Sequence, residues 1–144
     1  MDLFKEIDIA VQVRRIKRNL ESVIDKCTGP IEQTLITQAS LVAAEQRSVA
    51  PVGEGADEKN PGALRDSIRV ERGSPTAKKA IVIKIKAGGE STHNDGYDYA
   101  RAQEFGTQEM PANPFFFPIW RARRKDVRAA VNKAIKNAVK DVFK

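Results

Sequence analysis

The chain has one cysteine, Cys27, and one histidine, His93, among 144 residues. A lone cysteine excludes an internal disulfide framework and fits a reducing compartment or an intracellularly assembled particle. One His and one Cys cannot supply the usual Cys/His zinc site within a single chain. Long apolar runs are also missing: none approaches the ~20 residues that a membrane helix needs. The opening Met1-Asp2-Leu3-Phe4-Lys5-Glu6 lacks the basic region and apolar stretch of a secretory signal. No Gly-rich phosphate loop ending in Lys-Ser/Thr occurs, and no dinucleotide-binding glycine pattern follows a strand. Gly and Pro are too sparse and too irregular for a collagenous or wholly disordered chain. No catalytic residue, cofactor or metal site is therefore assigned. Asp and Glu are plentiful, so a carboxylate-based hydrolase stays open as a class, without a spacing that picks out a pair.

What is present is a chain 41% apolar and 31% charged, of a length that predicts one domain over 1–144. The formal charge of +6 is unevenly placed. Residues 121–144 carry nine basic residues against Asp126 and Asp141, a net of +7, whereas 1–120 carry 16 basic and 17 acidic residues. A stripe of this kind attracts nucleic acid or an acidic protein surface, or is a solvated helix face.

Hydrophobic spacing predicts an α+β fold: N-terminal helices, a small antiparallel sheet, and a long C-terminal helix packed on the sheet. In the helical part, 1–49, Ile7, Val13, Ile16, Leu20, Ile24 and Cys27 recur at mostly three- and four-residue steps, as on one helix face. Thr28-Gly29-Pro30 predicts a break there, with a second helix marked by Ile31, Leu35, Ala39, Val42 and Val49. Cys27 reads as a small buried hydrophobe and His93 as a solvated loop residue. Three Gly and two Pro between Pro51 and Gly62 predict a flexible loop over 50–63. The sheet part, 64–118, opens with period-two alternation. Leu64, Ile68 and Val70 share a face with Asp66 as the exception, and Ile81, Ile83 and Ile85 alternate with lysines, which together predict an antiparallel hairpin. A turn is expected at Asn94-Asp95-Gly96; Tyr97 to Thr107 is ambiguous, with Tyr99, Ala102 and Phe105 fitting a short helix that Gly106 could cap. Pro111, Pro114 and Pro118 forbid a regular helix around Phe115-Phe116-Phe117. Three adjacent phenylalanines in extended chain alternate direction, so either one faces outward as a partner contact or another element covers all three. The final helix is expected over 119–143, with Trp120, Val127, Val131, Ala134, Ala138 and Val142 inward and Arg121, Lys125, Arg128, Lys133, Lys136 and Lys140 outward.

Three segments together resemble a phage family. They are Ala50-Pro51-Val52 with Gly62-Ala63-Leu64-Arg65-Asp66-Ser67-Ile68, then Tyr99-Ala100 with Glu104-Phe105-Gly106-Thr107, then Pro111-Ala112-Asn113-Pro114-Phe115-Phe116-Phe117-Pro118. Their order and separation are similar to those of siphophage tail-completion or head–tail joining proteins, the product-ten-like family of lambdoid-type phages and prophages. The resemblance spans about 31–143, with its motifs at 50–120. The link from Val52 to Leu64 is longer than the family's usual one, and Pro61 stands where the family has Thr. The resemblance implies a non-enzymatic structural protein, found in the virion tail or neck and in host cytoplasm during assembly. Its implied partners are other copies in a ring, head connector and tail tube proteins, with no membrane. Glu104, Phe105, Thr107, Phe115, Phe116 and Phe117 are then candidate subunit or partner contacts. The physical reading of Glu104 to Thr107 is a turn joining helix to strand. The competing function is a nucleic-acid-binding accessory protein that uses the basic face of the C-terminal helix; nonspecific DNA contact is compatible with both.

Overall fold

A computed structural model describes residues 3–52, 60–94 and 96–144, without the side chains of 3–7 and 94. Most of the expected flexible loop, 53–59, lies outside the described residues. The architecture is α+β: a long N-terminal helix, two small two-stranded sheets, a short helix and a long C-terminal helix.

The expected break at Gly29-Pro30 does not occur. Helix α1 runs from Leu3 to Val49 with Pro30 inside it, a rod about 70 Å long at 1.5 Å per residue. Proline's fixed φ is compatible with a helix; what it removes is one amide donor, at a cost of ~3 kcal/mol. Pro30 and Gly29 both lie on the exposed side. The hydroxyls of Thr28 and Thr34 donate to the carbonyls of Ile24 and Pro30, at 2.8 and 3.0 Å. The compensation is long-range packing. Cys27, Ala39, Val42, Ala43 and Gln46 form a buried seam along the inner half of α1, and a break at Pro30 would take Cys27 out of register with the other four.

Period-two reading also placed the first strand too early. Ala63–Asp66 is a helical turn, α2, entered through Gly62 at φ 83°. Leu64 and Ile68 are both buried, at helical i, i+4 spacing, which explains why Asp66 fell out of the alternation. Strand β1, Arg69–Arg72, then pairs antiparallel with β2, Ile83–Lys86, in the register Val70 opposite Ile85. Ile83 and Ile85 are half-buried and Lys84 and Lys86 exposed, as the alternation predicts. Ile81 lies before the strand. A 3-10 turn at Glu90–Thr92 leads into the second hairpin, β3 (His93–Asn94) with β4 (Tyr97–Asp98).

The ambiguous segment contains helix α3, Tyr99–Phe105, the short helix that Tyr99, Ala102 and Phe105 fit. Asp98 is its N-cap and accepts the Ala100 N–H at 3.0 Å, while Gly106 closes it at φ 74°. No strand follows Gly106; the chain runs in irregular structure to α4, Phe117–Val142. Helix α4 lies antiparallel along α1. Gln46 meets Phe116 at one end, and Lys26 and Pro30 border Asp141 and Val142 at the other. The core gathers Ala43, Ala50, Leu64, Ile68, Ala100 and Phe115, so α1, α2, α3 and the start of α4 meet there. Full burial of Phe115 or Ile68 stabilises by ~1.5–3 kcal/mol each.

Candidate functional site

The segments of the sequence signature meet at the inner end of α1. Phe116, the residue before α4, offers no capping side chain, so the first amides of the helix need another acceptor. Glu104 of α3 supplies it. Its Oε2 accepts the N–H groups of Phe115 and Phe116 at 2.8 and 2.9 Å, and its Oε1 accepts that of Phe117 at 2.9 Å. A carboxylate at a helix N-terminus also complements the positive end of the helix dipole. From the other side, Gln46 Nε2 donates to the Phe116 carbonyl at 3.0 Å. Arg47 Nε and Nη2 donate to the Ile68 carbonyl at 3.1 and 2.6 Å. Ser67 Oγ donates to the Leu64 carbonyl and accepts the Gly88 N–H, at 2.6 and 2.9 Å.

The turn expected at Gly106 is present. A Cβ there would sit 2.8 Å from the Ala112 nitrogen and 3.0 Å from the Met110 carbonyl oxygen, so both the positive φ and the backbone approach require glycine. Thr107 Oγ1 accepts the N–H groups of Glu109 and Met110 at 3.3 and 3.1 Å. The Asn113 N–H returns to the Gln103 carbonyl at 2.8 Å. The turn leads into this irregular segment, not into a strand.

The candidate contact residues separate into two groups. Glu104 and Phe115 are 7% and 2% exposed, so the expectation that they contact a partner is corrected: both are used inside the chain. Phe105 is 64% exposed and Phe117 42%, with ring centroids 6.0 Å apart. Thr107 is exposed and Phe116 half-buried. The three phenylalanines do not alternate: the 115 ring is buried, the 116 ring half-buried and edge-on to both neighbours, and the 117 ring exposed, because Phe117 already opens α4 and the run is not extended chain. Cys27 is buried and His93 exposed.

On α4, Arg121, Lys125, Arg128, Lys133, Lys136 and Lys140 are all exposed. At ~100° per residue they spread around the face opposite Trp120, Val127, Ala134 and Ala138. The two acids of the helix are already occupied, Asp126 with Arg123 and Asp141 with Lys144. Arg123 also pairs with Glu45 at 2.7 Å, and the Glu45 hydrogen bond, with the charge of that carboxylate, holds its guanidinium above the usual pKa. On the hairpin, hydrogen bonds from Lys86 and then Arg69 hold Glu71 below the usual carboxylate range.

Two apolar surfaces stand out, and sequence reasoning anticipated neither as a site. One is a groove of about 260 Å³ between α1, β2 and α4, walled by Leu35, Ala39, Ile83, Ile85, Phe117, Trp120 and Val127, with Gln46 in its wall. Gln46 is fully buried and its Oε1 has no hydrogen-bond partner. The other is the outer half of α1. Residues 8–22 are exposed throughout, and Ile9, Val13, Ile16 and Leu20 are each 58–61% exposed.

Glu104 is the one buried carboxylate among the described residues, and both its oxygens are engaged by backbone amides. No cluster of three or more metal-ligating side chains occurs among the described residues. No described helix is long and apolar enough to cross a membrane. No family model, curated protein or solved structure matches the chain.

Proposed function

We propose that this protein is a non-catalytic structural subunit of a tailed phage or prophage, completing the tail or joining head to tail as one member of a ring. The observation that carries the reading is the Glu104 clamp. The resemblance brings together two segments, Tyr99–Thr107 and Pro111–Pro118, and in the fold the first holds the second by three hydrogen bonds. The residues that carry the likeness thus act as architecture, which suits a part that bears load and makes or breaks no bond. Phe105 and Phe117, left exposed beside that clamp, supply contact surface toward other particle proteins. Aromatics at such positions are effective anchors of protein interfaces.

The test is genetic. Deleting the gene from an inducible phage or prophage yields full heads and separate tails, or tails of abnormal length. Normal infectious particles from the deletion overturn the reading.

A second reading, nucleic-acid binding through α4, is favoured by one observation: Lys125, Arg128, Lys133, Lys136 and Lys140 have no ion-pair partner among the described residues. In a head–tail joint this face would line the passage through which DNA moves, so the two readings are compatible.

A further inference from the structure

The sheet β1–β2 has only two strands, and the outer edge of β2 faces the groove with unused backbone groups. Gly73 N–H donates to the Val82 carbonyl at 2.8 Å, which sets the alternation of the ladder. With Val70 opposite Ile85, the hydrogen-bonded pairs are Arg69–Lys86 and Glu71–Lys84, and the amides and carbonyls of Ile83 and Ile85 point away from β1. None of these four groups has a hydrogen-bond partner among the described residues. An unpaired strand edge is a template for a further strand.

The packing on α1 shows where this edge looks. Arg72 of β1 pairs with Glu32, and Arg123 of α4 pairs with Glu45. At ~100° per residue, the groove residues Leu35, Ala39 and Gln46 fall between Glu32 and Glu45 around α1. The groove takes in Ile83 and Ile85 but no residue of β1. The order across α1 is therefore β1, β2, groove, α4, and the free edge of β2 looks across the groove to Trp120 and Val127. Its wall thus holds donors and acceptors at strand spacing, which an extended chain satisfies and a helix does not. Charge narrows the occupant further. Lys84 stands on the solvent side of β2 without an ion pair among the described residues. A second hollow of about 440 Å³ shares Ile85, Phe116 and Phe117 with the groove and carries Arg101, also without an ion pair among the described residues.

We infer that the free edge of β2 is a strand-addition site. An extended segment of another protein, apolar at alternate positions and acidic at those between, pairs with Ile83 and Ile85. It lays its apolar side chains in the groove and sets its carboxylates toward Lys84 and Arg101. In this mode main-chain hydrogen bonds supply affinity and pockets for alternate side chains supply specificity, while opposite charges across a strand pair add to both. The chain's own strands are Arg69-Val70-Glu71-Arg72 and Ile83-Lys84-Ile85-Lys86. A second copy would bring mostly arginine or lysine up to Lys84, and like charges across a strand pair are unfavourable.

The site rests on the particle reading only for its setting, and the test uses the purified full-length chain with a short blocked peptide of alternating valine and glutamate. Trp120, the only tryptophan, lies in the groove wall and reports occupancy by fluorescence. Saturable binding is expected with Kd below ~1 mM. N-methylation of the peptide amides that face β2 leaves its side chains in place and is expected to weaken binding at least ~10-fold. A valine–lysine peptide is expected to bind at least ~10-fold more weakly than the valine–glutamate one. At saturation, hydrogen exchange at the Ile83 and Ile85 amides is expected to slow at least ~10-fold. Ile83→Pro removes an edge N–H that β1 does not use, and is expected to weaken binding at least ~10-fold. Lys84→Glu, at an exposed position, is expected to reverse the preference between the two peptides, and it carries the test if circular dichroism shows the proline chain unfolded. Absence of saturable binding overturns the inference, as does binding indifferent to N-methylation, unchanged exchange at Ile83 and Ile85, or an unchanged peptide preference in Lys84→Glu. Protection of those amides that grows with protein concentration, without peptide, gives the edge to a second copy and overturns it too. The deletion phenotype tests the particle reading separately.

Discussion

Replacing Glu104 with alanine removes the acceptor of three backbone amides at once. The Phe115 amide is buried and those of Phe116 and Phe117 are partly so. A hydrogen bond to a charged group contributes ~1.5–3 kcal/mol, and a buried donor left unmade costs ~1–3 kcal/mol. The Phe117 amide, at the first turn of an exposed helix, can turn to water, so two amides carry most of the loss. Adding a modest helix-dipole contribution of ~0.3–1 kcal/mol, Glu104→Ala is expected to destabilise by about 3–5 kcal/mol, a large part of the ~5–15 kcal/mol available to a typical domain. Glu104→Gln keeps one oxygen for Phe115 and Phe116 but sets an NH₂ against the Phe117 N–H, so its cost should fall between alanine and wild type. Urea unfolding followed by circular dichroism measures both. With m of ~1–3 kcal/mol/M, the alanine midpoint should drop by about 2 M. Hydrogen exchange gives the local readout, with protection lost first at the Phe115 and Phe116 amides. A Glu104→Ala chain within ~0.5 kcal/mol of wild type, or one in which those amides stay protected, refutes the reasoning.

Gly106→Ala forces a Cβ into backbone atoms at positive φ, and a loss of about 1–3 kcal/mol is expected by the same urea assay. Pro30→Ala restores an amide donor inside a continuous helix and should stabilise by ~2–3 kcal/mol; no change in unfolding midpoint would mean that the helix is interrupted in solution. If the α4 face binds duplex DNA through its six outward basic residues, the slope of log K against log salt should approach about −5. Neutralising Lys125, Lys133 and Lys136 together should then reduce that slope by roughly half, measured by fluorescence anisotropy; no binding at low salt removes this second reading.

Local chemistry made the Gly106 turn and most of α4 readable from the sequence, through Gly106 as a cap and the wide spacing of Val127, Ala134 and Ala138; the start of α4 was read two residues late, because Pro118, which breaks a helix interior, is tolerated in a first turn. The continuity of α1 was not readable. Thr28-Gly29-Pro30 carries a stop signal, and what overrides it is a packing seam shared with a helix about ninety residues later. The start of β1 was misplaced because Leu64 and Ile68 are compatible with period two and with i, i+4. The role of Glu104 was hidden by its eleven-residue separation from Phe115. One signal pointed to it: Pro114-Phe115-Phe116-Phe117-Pro118 opens a helix with no Ser, Thr, Asp or Asn at the cap, so a distant acceptor had to be provided. The groove could not be foreseen, since its walls come from α1, β2 and α4.

The seam between α1 and α4 joins two elements whose facing ends, Val49 and Phe117, are nearly seventy residues apart in the chain. Until α4 is made, the face of α1 that it covers lies open, while α2 and the β1–β2 hairpin can already pack on the inner end of the rod. A message cut short before residue 117 would release a fragment that lacks one wall of that seam and cannot close its own fold.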